Sequence, residues 1–258
     1  MHDPTNFEGK VVVVTGGGKG VGRGISQCFL EAGAEVVICG REVPSSLPEY
    51  AGREALFIPC DLREFEQSQR LIDTIVARHG RLDVLINNAG GAPFAHAANA
   101  SPRFSESIIR LNLLAPLNLC QLANRVMQEQ ASGGTIINIC SVSATRPSPG
   151  TAAYGAAKAG LLNLTRSLAV EWAPKVRVNA INAGLIRTEQ SALHYGDEAA
   201  IARVAATIPL QRLADPRDIG DTCLFLASSM ARYVSGADLS VHGGGERPAF
   251  LDAAGVGQ

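Results

Sequence analysis

The stretch from Lys10 to Gly24 constrains the fold most. Val11, Val12, Val13 and Val14 run without a polar break, and glycines then fall at Gly16, Gly17, Gly18, Gly20, Gly22 and Gly24. A strand with one wet face alternates apolar and polar residues. A run of consecutive valines has no wet face, so both sides must be covered, as in a parallel sheet between helices. After the glycines, Val21, Ile25, Cys28, Phe29 and Ala32 recur at helical spacing, Gly33 ends the helix, and Glu35 to Cys39 is a second apolar strand. The result is a βαβ unit whose glycine-rich turn sits at a helix N-terminus.

The alternation continues to the C-terminus. Strands are predicted at Ala55–Pro59, Leu82–Ile86, Thr135–Cys140, Val176–Ile181 and Ala237–Val241. Helices are predicted at Glu64–His79, from the Pro102 region through Asn112 with a kink at Pro116, and at Thr151–Trp172. Asp215-Pro216 with Asp218 reads as a further helix start. Gly40 to Arg53, with Pro44 and Pro48, reads mostly as loop. This pattern predicts an α/β fold, a doubly wound parallel sheet of about seven strands, in a single domain over residues 1–258. Right-handed crossovers put all strand C-termini on one edge, which then carries the glycine turn, Asn87, Ser141 and Asn182.

Composition removes several function classes. With 46% hydrophobic residues a large core is possible, and a net charge of -1 gives no pull toward nucleic acid or an anionic membrane. No apolar run is long enough to span a bilayer and no signal-type segment opens the chain, so a soluble cytoplasmic protein is expected. The six cysteines form no C-x-x-C pair and lie mostly in apolar runs, which predicts reduced core thiols. The five histidines are scattered, so no metal site is expected, and no G-x-S-x-G elbow surrounds Ser141.

Three groups of residues carry possible chemistry. The first is Thr15-Gly16-x-x-x-Gly20-x-Gly22, whose amides at a helix N-terminus suit a pyrophosphate. The second lies at the end of the second strand. An acidic residue there holds a ribose hydroxyl, but position 40 is Gly and Arg41 follows, with Lys19 in the glycine turn; both cations suit a ribose 2′-phosphate. Glu42 is nearby, past the turn. The third is Ser141 at a strand end with Tyr154 and Lys158 one helical turn apart. A hydroxyl, a phenol and an ammonium can exchange a proton with a carbonyl or alcohol oxygen, but cannot carry electrons, so a redox reaction needs a cofactor.

Taken in order, Thr15-Gly16-x-x-x-Gly20-x-Gly22, Asn87-Asn88-Ala89-Gly90, Asn112, Ser141 and Tyr154-x-x-x-Lys158 resemble the short-chain dehydrogenase/reductase family, and the resemblance covers the rest of the chain. It implies catalytic roles for Asn112, Ser141, Tyr154 and Lys158: Tyr154 the acid/base, its pKa lowered by Lys158; Ser141 orienting the substrate oxygen; Asn112 supporting a water that links Lys158 to solvent. It implies a cofactor set of Gly16, Gly18, Lys19, Gly20, Val21, Gly22, Arg41, Asp61, Leu62, Asn88, Ala89, Gly90, Gly184, Ile186 and Thr188, besides Tyr154 and Lys158. Hydride then passes to or from a nicotinamide, with NADP expected over NAD.

The chain departs from the family pattern where Asn182-Ala183-Gly184 has Ala for the usual Pro, at His242 in place of a common Asp, and in its proline-containing second βα connection. The implied reaction is carbonyl reduction or secondary-alcohol oxidation on a small-molecule substrate. A lid over about 189–209, with Leu193, Tyr195, Ile201 and Val204, suggests a medium-sized apolar substrate, alicyclic or steroid-like. A 3-oxoacyl thioester reductase and a non-catalytic dinucleotide sensor or scaffold are the alternatives. A homotetramer is expected, because family members pack the Asn112 and Tyr154 helices on a partner and Leu161, Leu162, Leu164 and Leu168 exceed what one sheet face needs.

Overall fold

The computed structural model describes residues 3–255. The strands are β1 (Val11–Thr15), β2 (Glu35–Gly40), β3 (Glu49–Tyr50), β4 (Arg53–Glu54), β5 (Leu56–Pro59), β6 (Val84–Asn87), β7 (Gly134–Ser141), β8 (Val176–Ala183) and β9 (Asp238–Val241). Seven form one parallel sheet in the order β5-β2-β1-β6-β7-β8-β9, while β3 and β4 make a small separate hairpin inside the stretch expected to be loop. The helices are α1 (Gly20–Glu31), α2 (Phe65–His79), α3 (Pro102–Ile109), α4 (Ala115–Glu129), α5 (Ala152–Glu171), α6 (Ser191–Tyr195), α7 (Glu198–Ala206), α8 (Pro216–Ala227) and α9 (Ala249–Ala253).

The valine run explains the layering. Val11 and Val13 enter a core shared with Leu71, Ile72 and Ile75 of α2, Leu119 and Leu122 of α4 and Leu168 of α5. Val12 and Val14 point the other way, against Ile25 and Phe29 of α1 and Ile219 and Leu226 of α8. Side chains of a strand alternate between faces, so an unbroken apolar strand serves two cores at once. Full burial of each such side chain contributes roughly 1.5–3 kcal/mol. On the second face α1 and α8 approach closely: a Cβ at Gly24 would strike Pro216, and one at Gly220 would strike Cys28.

Some local features differ from expectation. Pro116 stands at the start of α4 rather than inside one continuous helix. Instead Arg110–Leu114 forms a π-helical turn between α3 and α4, with the Ala115 N–H bonded to the Arg110 carbonyl. Pro116 has no N–H to offer the Asn112 carbonyl at normal spacing, and widening the preceding turn relieves that mismatch. Asn112 lies inside this turn and is fully buried. Strand β8 runs two residues further than expected, because Ala183 keeps the backbone extended and pairs with Ser141 and Val241. The α8 start is as predicted: the Asp218 carboxylate accepts the Asp215 N–H at 2.7 Å, with Pro216 in the first turn. The α5 leucines are not surplus. Leu161, Leu162 and Leu168 are buried within the chain's own core and Leu164 packs against it, whereas Val170 on the same helix is 81% exposed. All six cysteines are buried and unbridged.

Candidate active site

Strand order reverses beside β1, whose neighbours β2 and β6 lead to opposite halves of the sheet. A crevice forms outside the strand C-termini at such a point. Here it is a cleft of about 630 Å³, and every residue of the expected cofactor set lines it.

The glycine turn is one wall. Gly16 has a φ of 64°, and a Cβ there would lie 3.3 Å from the Ala89 Cα; a Cβ at Gly22 would collide with the Gly16 carbonyl. These positions therefore accept only Gly. Thr15 ties the turn to the next loop: its hydroxyl accepts the N–H groups of Asn88 and Ala89, each at 2.9 Å, and its carbonyl accepts from Asn88 Nδ2 at 2.8 Å. Among the described residues no side chain caps α1 at Lys19, and Lys19, Gly20 and Val21 at its start line the cleft. One of them already holds an anion: the Gly20 N–H donates to the Glu189 carboxylate at 3.0 Å. A seat that takes a carboxylate from the protein itself is one that fits a phosphate.

At the far end Lys19, Arg41 and Glu42 line the cleft and are exposed. Arg63, which sequence reasoning missed, also lines it and forks onto Asp61, with Nε 2.9 Å from Oδ1. The Arg63 hydrogen bonds hold the Asp61 carboxyl below its ordinary pKa, and the charge of Arg41 adds to this. The signal was present as a cation two positions after Asp61.

The opposite wall carries the reactive groups. Ser141 ends β7 and turns to meet α5, where Tyr154 and Lys158 share a face. A buried polar chain fixes this meeting. Asn87 Nδ2 on β6 donates to Asn138 Oδ1 on β7 at 2.9 Å, and Asn138 Nδ2 donates to the Thr165 hydroxyl on α5 at 2.9 Å. Asn112 closes the wall from behind. Its Oδ1 accepts the Gly91 N–H at 2.9 Å, and its Nδ2 donates to the carbonyls of Gly91 and Ile108 at 3.0 and 2.9 Å. A Cβ at Gly90 would lie 2.6 Å from Asn112 Oδ1 and 3.4 Å from Lys158 Nζ, so Gly90 lets the two approach. Asn112 thus does not line the cleft but shapes the loop that does.

Lys158 is 3% exposed and its Nζ donates to the Ile139 carbonyl at 2.7 Å. Burial pushes its pKa down. The ammonium sits 5.6 Å above the Tyr154 ring centre. Contrary to the expected lowering, the Tyr154 phenol is pushed up: burial dominates, and the hydrogen bond with Ser141 only partly opposes it. Lys158 is bonded to a backbone carbonyl rather than aimed at the phenol oxygen, so its charge does not reverse the effect of burial.

The segment 189–209, of which Glu189 and Gln190 line the cleft, uses much of its apolar surface internally. Ile201 and Ile208 are buried with Leu213, and Leu185, Tyr195 and Val204 pack against them, while Leu193 is exposed. Tyr195 lies close enough to raise the Tyr154 pKa further.

A glycine-built anion seat, a cation-rich far end and a hydroxyl–phenol–ammonium wall along one cleft define an oxidoreductase that uses a nicotinamide dinucleotide. Residues 16–246 match the family model described as Enoyl-(Acyl carrier protein) reductase. An L-fucose dehydrogenase of Oryctolagus cuniculus is 36% identical over 95% of this chain and 88% of its own. A 3alpha-hydroxysteroid dehydrogenase of Mediterraneibacter gnavus is 36% identical over 92% of this chain and 97% of its own. The ligand-free structure of an aldohexose dehydrogenase of Thermoplasma acidophilum superposes with a TM-score of 0.86 at 29% identity, over 94% of this chain and 96% of that one. The chain belongs to the short-chain dehydrogenase/reductase family.

Proposed function

We propose that the protein interconverts a carbonyl and a secondary alcohol with NADP(H) preferred over NAD(H). The observation that carries this is the shared cleft: Ser141, Tyr154 and Lys158 open onto the same space as the glycine turn. When bound, the nicotinamide ring supplies or accepts the hydride. The chain's own residues do the rest. Ser141 donates a hydrogen bond to the substrate oxygen and orients it. Tyr154 gives its phenolic proton to that oxygen in reduction and takes it back in oxidation. Lys158, held by Ile139, keeps a positive charge beside the ring where phenolate character develops. Asn112 acts as a positioning residue, fixing Gly90 and Gly91 at the cleft wall.

The cofactor preference rests on charge. Position 40 is Gly and brings no repelling carboxylate, while Arg41 and Lys19 outnumber Glu42, Arg63 and Asp61 being engaged with each other. A charge-assisted hydrogen bond to a phosphate contributes roughly 1.5–3 kcal/mol, reduced by exposure, so a preference of about tenfold is expected. We further propose that residues 189–209 act as a lid, that the protein works in the cytoplasm as a homotetramer, and that the substrate is medium-sized and mostly apolar. The exposed Val170 on α5 supports the assembly.

The test is direct. NADPH and NADH are titrated into the wild type and Arg41→Ala, and each loaded protein is offered cyclic ketones, hydroxysteroids, sugars and 3-oxoacyl thioesters. Turnover with NADPH that Arg41→Ala selectively weakens supports the reading. No turnover with any compound, or equal use of both cofactors, overturns it. Thioesters preferred over free ketones would point to a 3-oxoacyl thioester reductase.

A further inference from the structure

Beside the main cleft lies a second cavity of about 320 Å³, and the two share Gly184 in their walls. Its sides are mostly apolar, built by Val142, Leu185 and Ile208, but one end is charged. There Arg146, on the loop that follows Ser141, meets Glu246 at 2.8 Å. Arg146 Nη1 also donates to the Pro147 carbonyl at 3.2 Å. Its Nε is buried and has no hydrogen-bond partner among the described residues. A guanidinium offers a planar fork of donors suited to a carboxylate, and a buried N–H left unmatched marks that fork as incompletely used.

Glu246 is a poor permanent partner. It follows Gly243, Gly244 and Gly245, all with positive φ, and its own side chain is 42% exposed. It reaches Arg146 on a glycine tether and adds nothing to either core. The chemistry is adjacent: both cavities have Gly184 in their walls, and Val142 of this one directly follows Ser141 of the main cleft.

Building on the carbonyl–alcohol reading of the site, we propose that the substrate is an oxo acid or hydroxy acid, apolar in its body, whose carboxylate is seated on Arg146 in place of Glu246. The carbonyl lies at Ser141 and Tyr154, the body runs past Gly184 along Val142, Leu185 and Ile208, and the far carboxylate takes the guanidinium fork. Glu246 holds that seat in the free protein and leaves it on binding. An apolar cavity with a single charged end selects among substrates by that end, because a neutral analogue either leaves Glu246 in the seat and gains nothing there, or displaces it and leaves the arginine unpaired.

The probes are oxo acids built on cyclohexanone, decalone and steroid rings, each paired with its methyl ester. kcat/KM is measured for acid and ester with the NADPH-loaded wild type, Arg146→Gln, Arg146→Lys and Glu246→Gln. Binding is measured separately by calorimetry on NADPH-loaded Tyr154→Phe, alone and with Arg146→Gln. At least one acid should exceed its ester by about tenfold, mainly through KM. That ratio should fall to about one in Arg146→Gln, be intermediate in Arg146→Lys and rise in Glu246→Gln. Because the ratio is internal to each variant, partial misfolding does not mimic the effect. Acid and ester equal in the wild type, a ratio that survives Arg146→Gln, or no acid binding at all overturns the proposal. Arg146-dependent binding of acids without reduction of any carbonyl would instead leave the anion seat standing and overturn the carbonyl chemistry. Esters reduced with no acid preference would do the reverse.

Discussion

The Lys158 ammonium donates to the carbonyl oxygen of Ile139 at 2.7 Å and so ties helix α5 to strand β7 from inside the protein. Among the described residues it is a buried cation without a carboxylate partner, and burial holds its pKa below the ordinary lysine value. Folding therefore costs free energy wherever the unfolded chain is protonated. The sign is set by linkage: the unfolded state binds more protons, so stability rises with pH from the lowered folded value up to the unfolded value of ~10.4. Lys158→Met keeps the volume and removes the charge. It should abolish turnover yet raise the unfolding midpoint at neutral pH, with the gain shrinking as pH approaches ~10. Thermal unfolding scans at several pH values check this; a lower midpoint at neutral pH would show that the ammonium stabilises the fold.

Tyr154, as the proposed acid/base, should set the pH dependence of catalysis. Its phenol is pushed above the ordinary tyrosine value by burial, with Ser141 opposing. Alcohol oxidation needs the base form, so its rate should climb between about pH 6 and about pH 10, below the raised phenol value, while carbonyl reduction, which needs the proton, stays flat over the same range. Tyr154→Phe should lower both rates by ~10²–10⁴ and leave cofactor affinity nearly unchanged. Oxidation that is flat over this range, or substantial activity in the variant, would remove Tyr154 from proton transfer.

What the sequence revealed and what it hid follow from distance along the chain. The valine run, the glycine turn and the Tyr154–Lys158 spacing are local patterns with a period, and each is found where the period predicts it. The π turn at Arg110–Leu114 was not legible, because a proline signals a disturbed helix without saying which turn absorbs the strain. The apolar residues of 189–209 could be read as facing a substrate or one another, and only packing shows that Ile201 and Ile208 turn inward. The contact between Glu189 and Gly20 spans 169 positions, and no periodicity reports on such a pair. Arg146 and Glu246 escaped for the same reason.

Asp83 fastens the lower end of the sheet. Its carboxylate accepts the Val11 N–H at 3.0 Å and hydrogen bonds from Arg81 and Lys10. Burial pushes its pKa up, but these hydrogen bonds and the lysine charge together outweigh burial and hold it below the ordinary value. Its contribution is therefore fully present above the unfolded aspartate value of ~3.9 and is lost as pH falls through the lower folded value. Asp83→Asn should destabilise the protein at neutral pH by about 2–4 kcal/mol, since Arg81 and Lys10 lose their buried counter-charge while their own partial exposure limits the cost. Urea unfolding at neutral pH and in acid separates this from a packing defect. The difference between wild type and variant should narrow in acid; a constant difference would assign it to packing.

The last prediction concerns Glu189, whose carboxylate accepts the Gly20 N–H at 3.0 Å. That N–H belongs to the first turn of α1, where the partial positive charge of the helix is concentrated and where the proposed cofactor would place a phosphate. The two anions compete for one donor, and even a displaced Glu189 still repels the phosphate. Binding of cofactor must therefore break one exposed charge-assisted hydrogen bond. Replacing Glu189 with Gln keeps the length and weakens the hold; replacing it with Ala removes the competitor. Such an exposed bond contributes about 1 kcal/mol, so Glu189→Ala should bind NADPH and NADH several-fold more tightly, and Glu189→Gln by an intermediate factor. The gain should be the same for both cofactors, because the pyrophosphate is common to them, whereas Arg41→Ala acts on only one. It should also shrink in high salt, which screens the repulsion. Fluorescence titration of both cofactors at two ionic strengths measures this. Unchanged affinity in Glu189→Ala would mean that the carboxylate leaves the glycine turn at no cost, and weaker binding would mean that Glu189 helps to hold the cofactor.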